Sequence, residues 1–217
     1  CEDIFRLLEE NGVCSYQDLA NAAADYEFDY AFLQEIPYGS ENRLEGYLFP
    51  DTYEFYKNHN AKNALGKLID TFADHVDEEA FNESKAKAMG YSMKDVVIIA
   101  SLIEKETDGT DQADIASVIY NRLFRWGNNP AYLNIDASIV YALDGKNELT
   151  REDLQIDSPY NTYTNVGLTP TPISNPGLSS LQAALNPASH NYYYYVLNPS
   201  TGMHTFSTTY EEHSGYV

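Results

Sequence analysis

Residues 91–107, YSMKDVVIIASLIEKET, constrain the fold more than any other stretch of the chain. Ser92 with Asp95 three residues on makes a capping box, which predicts a helix opening at Ser92. At about 100° per residue, Val96, Val97, Ile98, Ile99, Ala100, Leu102 and Ile103 cover nearly the whole circumference of that helix. A helix that is apolar all round is buried on all sides, so the other elements have to be built around it. Its two terminal carboxylates are therefore informative. Glu104 falls on the sector of Val97, Ala100 and Ser101, where small neighbours leave room in front of it, whereas Glu106 lies near Ile99. A carboxyl pressed against apolar surface holds its proton more tightly, which makes Glu104 the expected general acid. The bland alternative is that Glu104 surfaces in the last turn and merely offsets Lys105 in solvent.

A length of 217 residues permits one sizeable core, or a main domain with a small satellite. Thirteen basic against thirty-three acidic residues give a formal charge of −20, which disfavours nucleic acid and anionic membrane surfaces as partners. Nineteen tyrosines and 43% hydrophobic residues are globular composition and exclude a disordered acidic tail. Many tyrosines with few basic groups suit an uncharged, hydroxyl-rich ligand such as a glycan, since rings cover sugar faces and phenols hydrogen-bond. Two cysteines, Cys1 and Cys14, are too few to staple a scaffold of this size. The helix expected directly after Cys1 leaves no tether for a lipidated cysteine, so a fragment of a longer protein is the expectation. No stretch approaches the length of a membrane span and no signal peptide is present, so this segment is expected to make no membrane contact itself.

In chain order, residues 2–35 read as short helices, with Asn11-Gly12 as a stop and Ser15 capping a second helix through Asp18. They are expected to form a satellite, with a boundary between 1–40 and 41–217. LEGYLFPDTYEF (44–55) is interrupted by Gly46 and Pro50 and reads as a short strand or structured loop. Asn60–Glu79 predicts a long amphipathic helix on Leu65, Leu68, Ile69 and Phe72, and Asn82–Met89 a short polar one. A turn is expected at Asp108-Gly109, a helix over Asp111–Trp126 with Asp114 capping it, and a loop over Gly127–Leu133. Asp136–Leu143 predicts a short helix, and Thr150–Asp153 a helix start. Ser158–Gly177, with four prolines and two glycines, is too long and irregular for a plain connector. A helix over Ser179–Leu185 and a hairpin of Tyr192–Leu197 with His204–Ser207 complete the chain. Helices in the middle and strands toward the edges of the chain predict an α+β fold, not doubly wound α/β, with a mainly helical core, short antiparallel strands and a small N-terminal satellite.

The sequence holds no dinucleotide or phosphate loop, no GxSxG elbow and no HExxH, so no cofactor is expected. The five histidines are scattered, and His204, Glu211, Glu212 and His213 match no compact metal site, so no metal is expected. Carboxylate chemistry remains, with Glu45, Asp51, Glu104, Glu106, Asp136 and Asp157 as candidates. Glycosidic cleavage needs a protonated acid at the leaving oxygen and a group that stabilises the oxocarbenium ion or activates a nucleophile. Each carboxylate taken singly is more often a cap, a turn or a salt bridge.

Four blocks now carry a resemblance: LEGYLFPDTYEF at 44–55, ASLIEKET at 100–107 with IASVIYNRL at 115–123, SPYNTYTNVGLTPTPISNPGLSSLQAAL at 158–185, and YYYYVLNPSTGMHTFSTTYEEH at 192–213. Spread over about four-fifths of the chain, they resemble the catalytic region of the YceG-like family of endolytic murein transglycosylases. The resemblance implies an enzyme of the bacterial cell envelope acting on peptidoglycan glycan strands. It would cleave the β-1,4 bond between N-acetylmuramic acid and N-acetylglucosamine, leave a 1,6-anhydromuramoyl end and so set strand length. The family's catalytic glutamate is the first of its EKET motif, which falls on Glu104. Asn161, Tyr163 and Asn175 become candidate substrate contacts, and Glu45 and Asp136 candidates for orienting or shaping the site; Asp51 and Asn121 are read as structural. The resemblance further implies a parent anchored by one N-terminal membrane helix, a LysM-like region whose tail would be residues 1–40, and room for peptidoglycan synthases as partners. One departure stands out: in NPAYLNIDAS (129–138), Leu133 and Asp136 fit the family pattern, but Asn134 replaces a glutamine and Ala137 a proline. A glycan-binding scaffold that has lost turnover is the competing reading, and a water-using hydrolase with Asp136 as base a third.

Overall fold

The structure, a computed structural model, describes residues 1–76, 78–107, 109–124, 131–146 and 148–216. Asp108, Trp126 and the start of the loop expected at Gly127–Leu133 lie outside the described residues. At the centre is helix Met93–Glu106, opened by the expected capping box of Ser92 and Asp95, with every residue from Val96 to Ile103 buried. Numbering helices in chain order, this is α6. It is preceded by α1 (Glu2–Glu10), α2 (Tyr16–Asp25), α3 (Ala61–His75), α4 (Glu78–Asn82) and α5 (Lys85–Ala88). It is followed by α7 (Gln112–Phe124), α8 (Asp136–Ala142), α9 (Leu178–Leu185) and α10 (Tyr210–Ser214). Strands β1 (Tyr194–Asn198) and β2 (Met203–Ser207) pair antiparallel in the register Tyr195 to Phe206 and Leu197 to His204. The architecture is α+β, a mainly helical core with one hairpin.

α6 packs on α9, α7 and α8, which is how a helix apolar on every side is satisfied. The N-terminal helices lie together: α1 on α2, and α2 on both α3 and a 3₁₀ turn at Glu41–Leu44. Arg43 of that turn, 4% exposed, donates to the carbonyls of Ala23, Tyr26 and Ile36, so a cation caps the carbonyl end of α2. The apolar cluster runs without a break from Phe5 through Tyr47 and α6 to Leu185.

Boundaries differ from expectation where side chains turn into the core. The helix expected to reach Glu79 ends at His75, because Val76, 2% exposed, leaves helical geometry to bury itself, and α4 begins afresh at Glu78. The helix expected over Asn82–Met89 is shorter, since Ser84 caps a single turn over Lys85–Ala88. Asp114 is the acidic residue in the first turn of α7, and its carboxylate lies against the His190 ring. α10 lies outside the elements expected from the sequence, although Thr209-x-x-Glu212 is a complete capping box. Among the described residues no group of His, Cys, Asp and Glu is arranged to hold a metal, and no helix is long and apolar enough to cross a membrane.

Candidate active site

The C-terminal turn of α6 carries both carboxylates and turns them to different surroundings, since residues two apart on a helix do not share a face. Glu104 is exposed. Its Oε2 accepts the backbone N–H of Gly177 at 3.0 Å and the hydroxyl of Ser180 at 2.7 Å. Gly177 is the N-cap of α9, whose own side chains supply no cap, so Glu104 places a carboxylate where free N–H groups and the helix dipole favour one. Both donors act on Oε2; Oε1 has no protein hydrogen-bond partner among the described residues.

The expectation that Glu104 is pressed against apolar surface is thereby corrected. That burial falls on Glu106, which is half-buried and accepts the Tyr195 hydroxyl at 2.7 Å. Burial pushes the Glu106 carboxyl above the ordinary range and the charge of Asp136 adds to the rise, while the Tyr195 hydroxyl and His204 oppose it.

The room foreseen in front of Glu104 is bounded by the proline-rich loop. Ser101, fully buried, explains how: its hydroxyl donates to Ile98 O at 2.7 Å and accepts Ile173 N–H at 3.0 Å, while its carbonyl accepts the Ser174 hydroxyl at 2.9 Å. A small polar residue in a buried helix thus pins the segment leading to Gly177. Gly46 lets the 44–55 segment come just as close. At φ +95° an added Cβ would lie 2.6 Å from Pro172 and 2.8 Å from Val97.

The remaining candidates fall into two groups. Asp136, exposed at the first position of α8, accepts the hydroxyl of half-buried Tyr163. Burial first, then Asp136 and Glu106, push the Tyr163 phenol upward, so this pair and Glu106 belong to one electrostatic neighbourhood. Glu45 and Asn175 form the other group. Glu45, 7% exposed, accepts Asn175 Nδ2 at 2.9 Å and the backbone nitrogen of Cys1 at 2.5 Å, and Asn175 Oδ1 accepts Gly46 N–H at 2.8 Å and Leu48 N–H at 3.0 Å. These bonds fasten the 44–48 segment to the loop.

Asn161 is fully enclosed, its amide donating to Leu154 O and Ile156 O and accepting Tyr163 N–H, so its expected role as a substrate contact gives way to holding the loop that presents Tyr163. Asn121 donates to the carbonyls of His190 and Tyr192, and Asp51 accepts Thr52 N–H. Asn134, at the departure from the family pattern, takes φ +53°, a left-handed conformation that asparagine tolerates better than most residues. Sequence reasoning missed Gly177, Ser180 and Tyr195. A glycine and a serine three residues apart at a helix start, next to a carboxylate needing donors, are a signal only once α6 and α9 are known to touch.

The class so defined is an α+β domain that presents an accessible carboxylate on the last turn of a buried helix, with a second, half-buried carboxyl two residues on. The YceG-like family model matches residues 1–217, and the chain belongs to that family. It is 41% identical over 175 residues to an endolytic murein transglycosylase of Bacillus subtilis strain 168, covering 79% of this chain and 46% of the relative. It is 34% identical over 210 residues to an endolytic murein transglycosylase of Streptococcus pneumoniae strain R6, covering 92% of this chain and 36% of the relative. The chain therefore spans less than half the length of these relatives. A crystal structure of a yceG-like protein from Listeria monocytogenes superposes with a TM-score of 0.78 at 33% identity, covering 97% of this chain and 70% of that one.

Proposed function

We propose that the chain is the catalytic region of an endolytic lytic transglycosylase acting on peptidoglycan glycan strands, with Glu104 as acid and then base. The observation that carries this reading is the division of labour within one carboxyl group: Oε2 is fixed by Gly177 and Ser180, and Oε1 is left to exchange a proton. In the first step protonated Glu104 gives its proton to the glycosidic oxygen as the bond from muramoyl C1 to that oxygen breaks. The oxygen leaves as the hydroxyl of N-acetylglucosamine. The muramoyl C6 hydroxyl then attacks C1 and its proton passes to the Glu104 carboxylate, which restores the acid and closes the 1,6-anhydro ring. No water is consumed. Asp136 and Tyr163, paired with each other and in the electrostatic neighbourhood of Glu106, are the candidates for contacting or orienting sugar hydroxyls. Glu45 and Asn175 act by holding the wall of the site in place.

The parent protein is proposed to work on the outer face of the cytoplasmic membrane, with residues 1–40 as the tail of a LysM-like region and peptidoglycan synthases as partners. Glu104→Gln keeps the size and removes the acid. On purified murein sacculi the wild-type chain should release anhydromuropeptides and Glu104→Gln should lose about 10²–10⁴-fold in rate. Release at the wild-type rate by Glu104→Gln would overturn the assignment.

A further inference from the structure

The last turn of α6 is tied to the hairpin at two points. Tyr195 on β1 donates its hydroxyl to Glu106 Oε2 at 2.7 Å. Thr107, the C-cap of α6, donates to Asp111 Oδ1 at 2.8 Å; Asp111 Oδ2 accepts the backbone N–H of His204 on β2 at 2.8 Å and lies 2.9 Å from His204 Nδ1. The rings of Tyr195 and His204 meet edge-on with centroids 5.3 Å apart, which joins the two ties. A helix end lacks the internal hydrogen bonds of its middle and frays unless something holds it. Here the turn at risk is the one that carries Glu104.

Enclosing a carboxyl at this point is costly, and an apolar residue would fill the space without that cost. Tyr195 on β1 contacts Glu106 directly, and His204 on β2, Asp136 on α8 and Tyr163 on the proline-rich loop act on it electrostatically. Its hydrogen bond with Tyr195 is what an apolar residue could not make. Tyr195 in turn packs against the rings of His204 and Phe206, which hold it to the hairpin.

We propose that Glu106 is a positioning residue for the reaction assigned to Glu104: through the hydrogen bond from Tyr195 it fixes the last turn of α6 against the hairpin and so holds Glu104 Oε1 at the scissile bond. This rests on the reading of Glu104 given above. What the role requires of Glu106 is an acceptor oxygen at a set place, not a charge.

The test is steady-state kinetics of the chain on uncrosslinked glycan strands, with thermal unfolding measured alongside. Glu106→Ala and Tyr195→Phe should each lower kcat about 10- to 100-fold with KM within about twofold of wild type, as small misplacements of a catalytic group do. Glu106→Gln, whose carbonyl can accept the same hydrogen bond, should recover most of what Glu106→Ala loses. Tyr195→Phe keeps the ring and decides the matter if Glu106→Ala does not fold. Wild-type kcat in Tyr195→Phe, or a loss confined to KM, would overturn the proposal, as would Glu106→Gln no better than Glu106→Ala. The proposal fails alone if Glu104→Gln is inactive while Tyr195→Phe matches wild type; if Glu104→Gln itself keeps wild-type activity, both readings fall.

Discussion

Glu104 and Glu106 stand two residues apart and meet different environments, one exposed and held by a helix N-terminus, the other half-enclosed under a tyrosine hydroxyl. The half-enclosed one has a consequence for stability. Its folded pKa lies above the unfolded value, so the stability linked to its protonated form is fully present below the ordinary glutamate range and is lost as pH rises through the folded value. Glu106→Gln removes that loss. Its gain in melting temperature over wild type should be larger at pH 7 than at pH 4, and an equal or smaller gain at pH 7 would contradict the direction of the shift. A second residue-scale prediction concerns Tyr47, fully buried with a hydroxyl that has no hydrogen-bond partner among the described residues. Tyr47→Phe should be neutral or stabilising by up to about 1 kcal/mol in denaturant unfolding, because it removes an unsatisfied group and keeps the ring. A loss of more than that would mean the hydroxyl is satisfied.

At the scale of elements, α6 was legible because three local signals agreed: the capping box, the unbroken apolar run and the terminal carboxylates. Which carboxylate would be buried was not legible. The helix wheel gave the sector of each, but the neighbours that decide burial are α9 on one side and β1 on the other, more than seventy residues away in sequence. Ser101 illustrates the same limit. In sequence it is one small residue in an apolar run; in the fold it anchors Ile173 and Ser174 and thereby the approach to Gly177. Ser101→Ala should cost about 1–3 kcal/mol, since Ile173 N–H is left buried without a partner, and activity should fall with it as the loop loosens. Denaturant unfolding and the initial cleavage rate check the two parts; a stable, fully active Ser101→Ala would show that the anchor is dispensable. Asn161 is the converse case, where a residue in a loop that looked like a binding segment proves to be the loop's internal brace.

For the whole molecule, the apolar cluster joins the N-terminal helices to the central helix without a gap, so the expected satellite shares its packing with the body that presents Glu104. The order of helical and strand patterns anticipated a mainly helical α+β domain, and composition its acidic charge. Neither could anticipate that the 44–48 segment, the proline-rich loop and the hairpin meet α6 along its length, at Val97, Ser101 and Glu106, because those contacts are set by Gly46, Ile173 and Tyr195 one at a time. The central claim is that Glu104 drives an internal attack by the sugar's own C6 hydroxyl, with no water entering the product. Cleavage of glycan strands in H₂¹⁸O, read by mass spectrometry, tests it most directly. The account predicts anhydro-ended products without label, abolished in Glu104→Gln. Reducing ends carrying one ¹⁸O would contradict it.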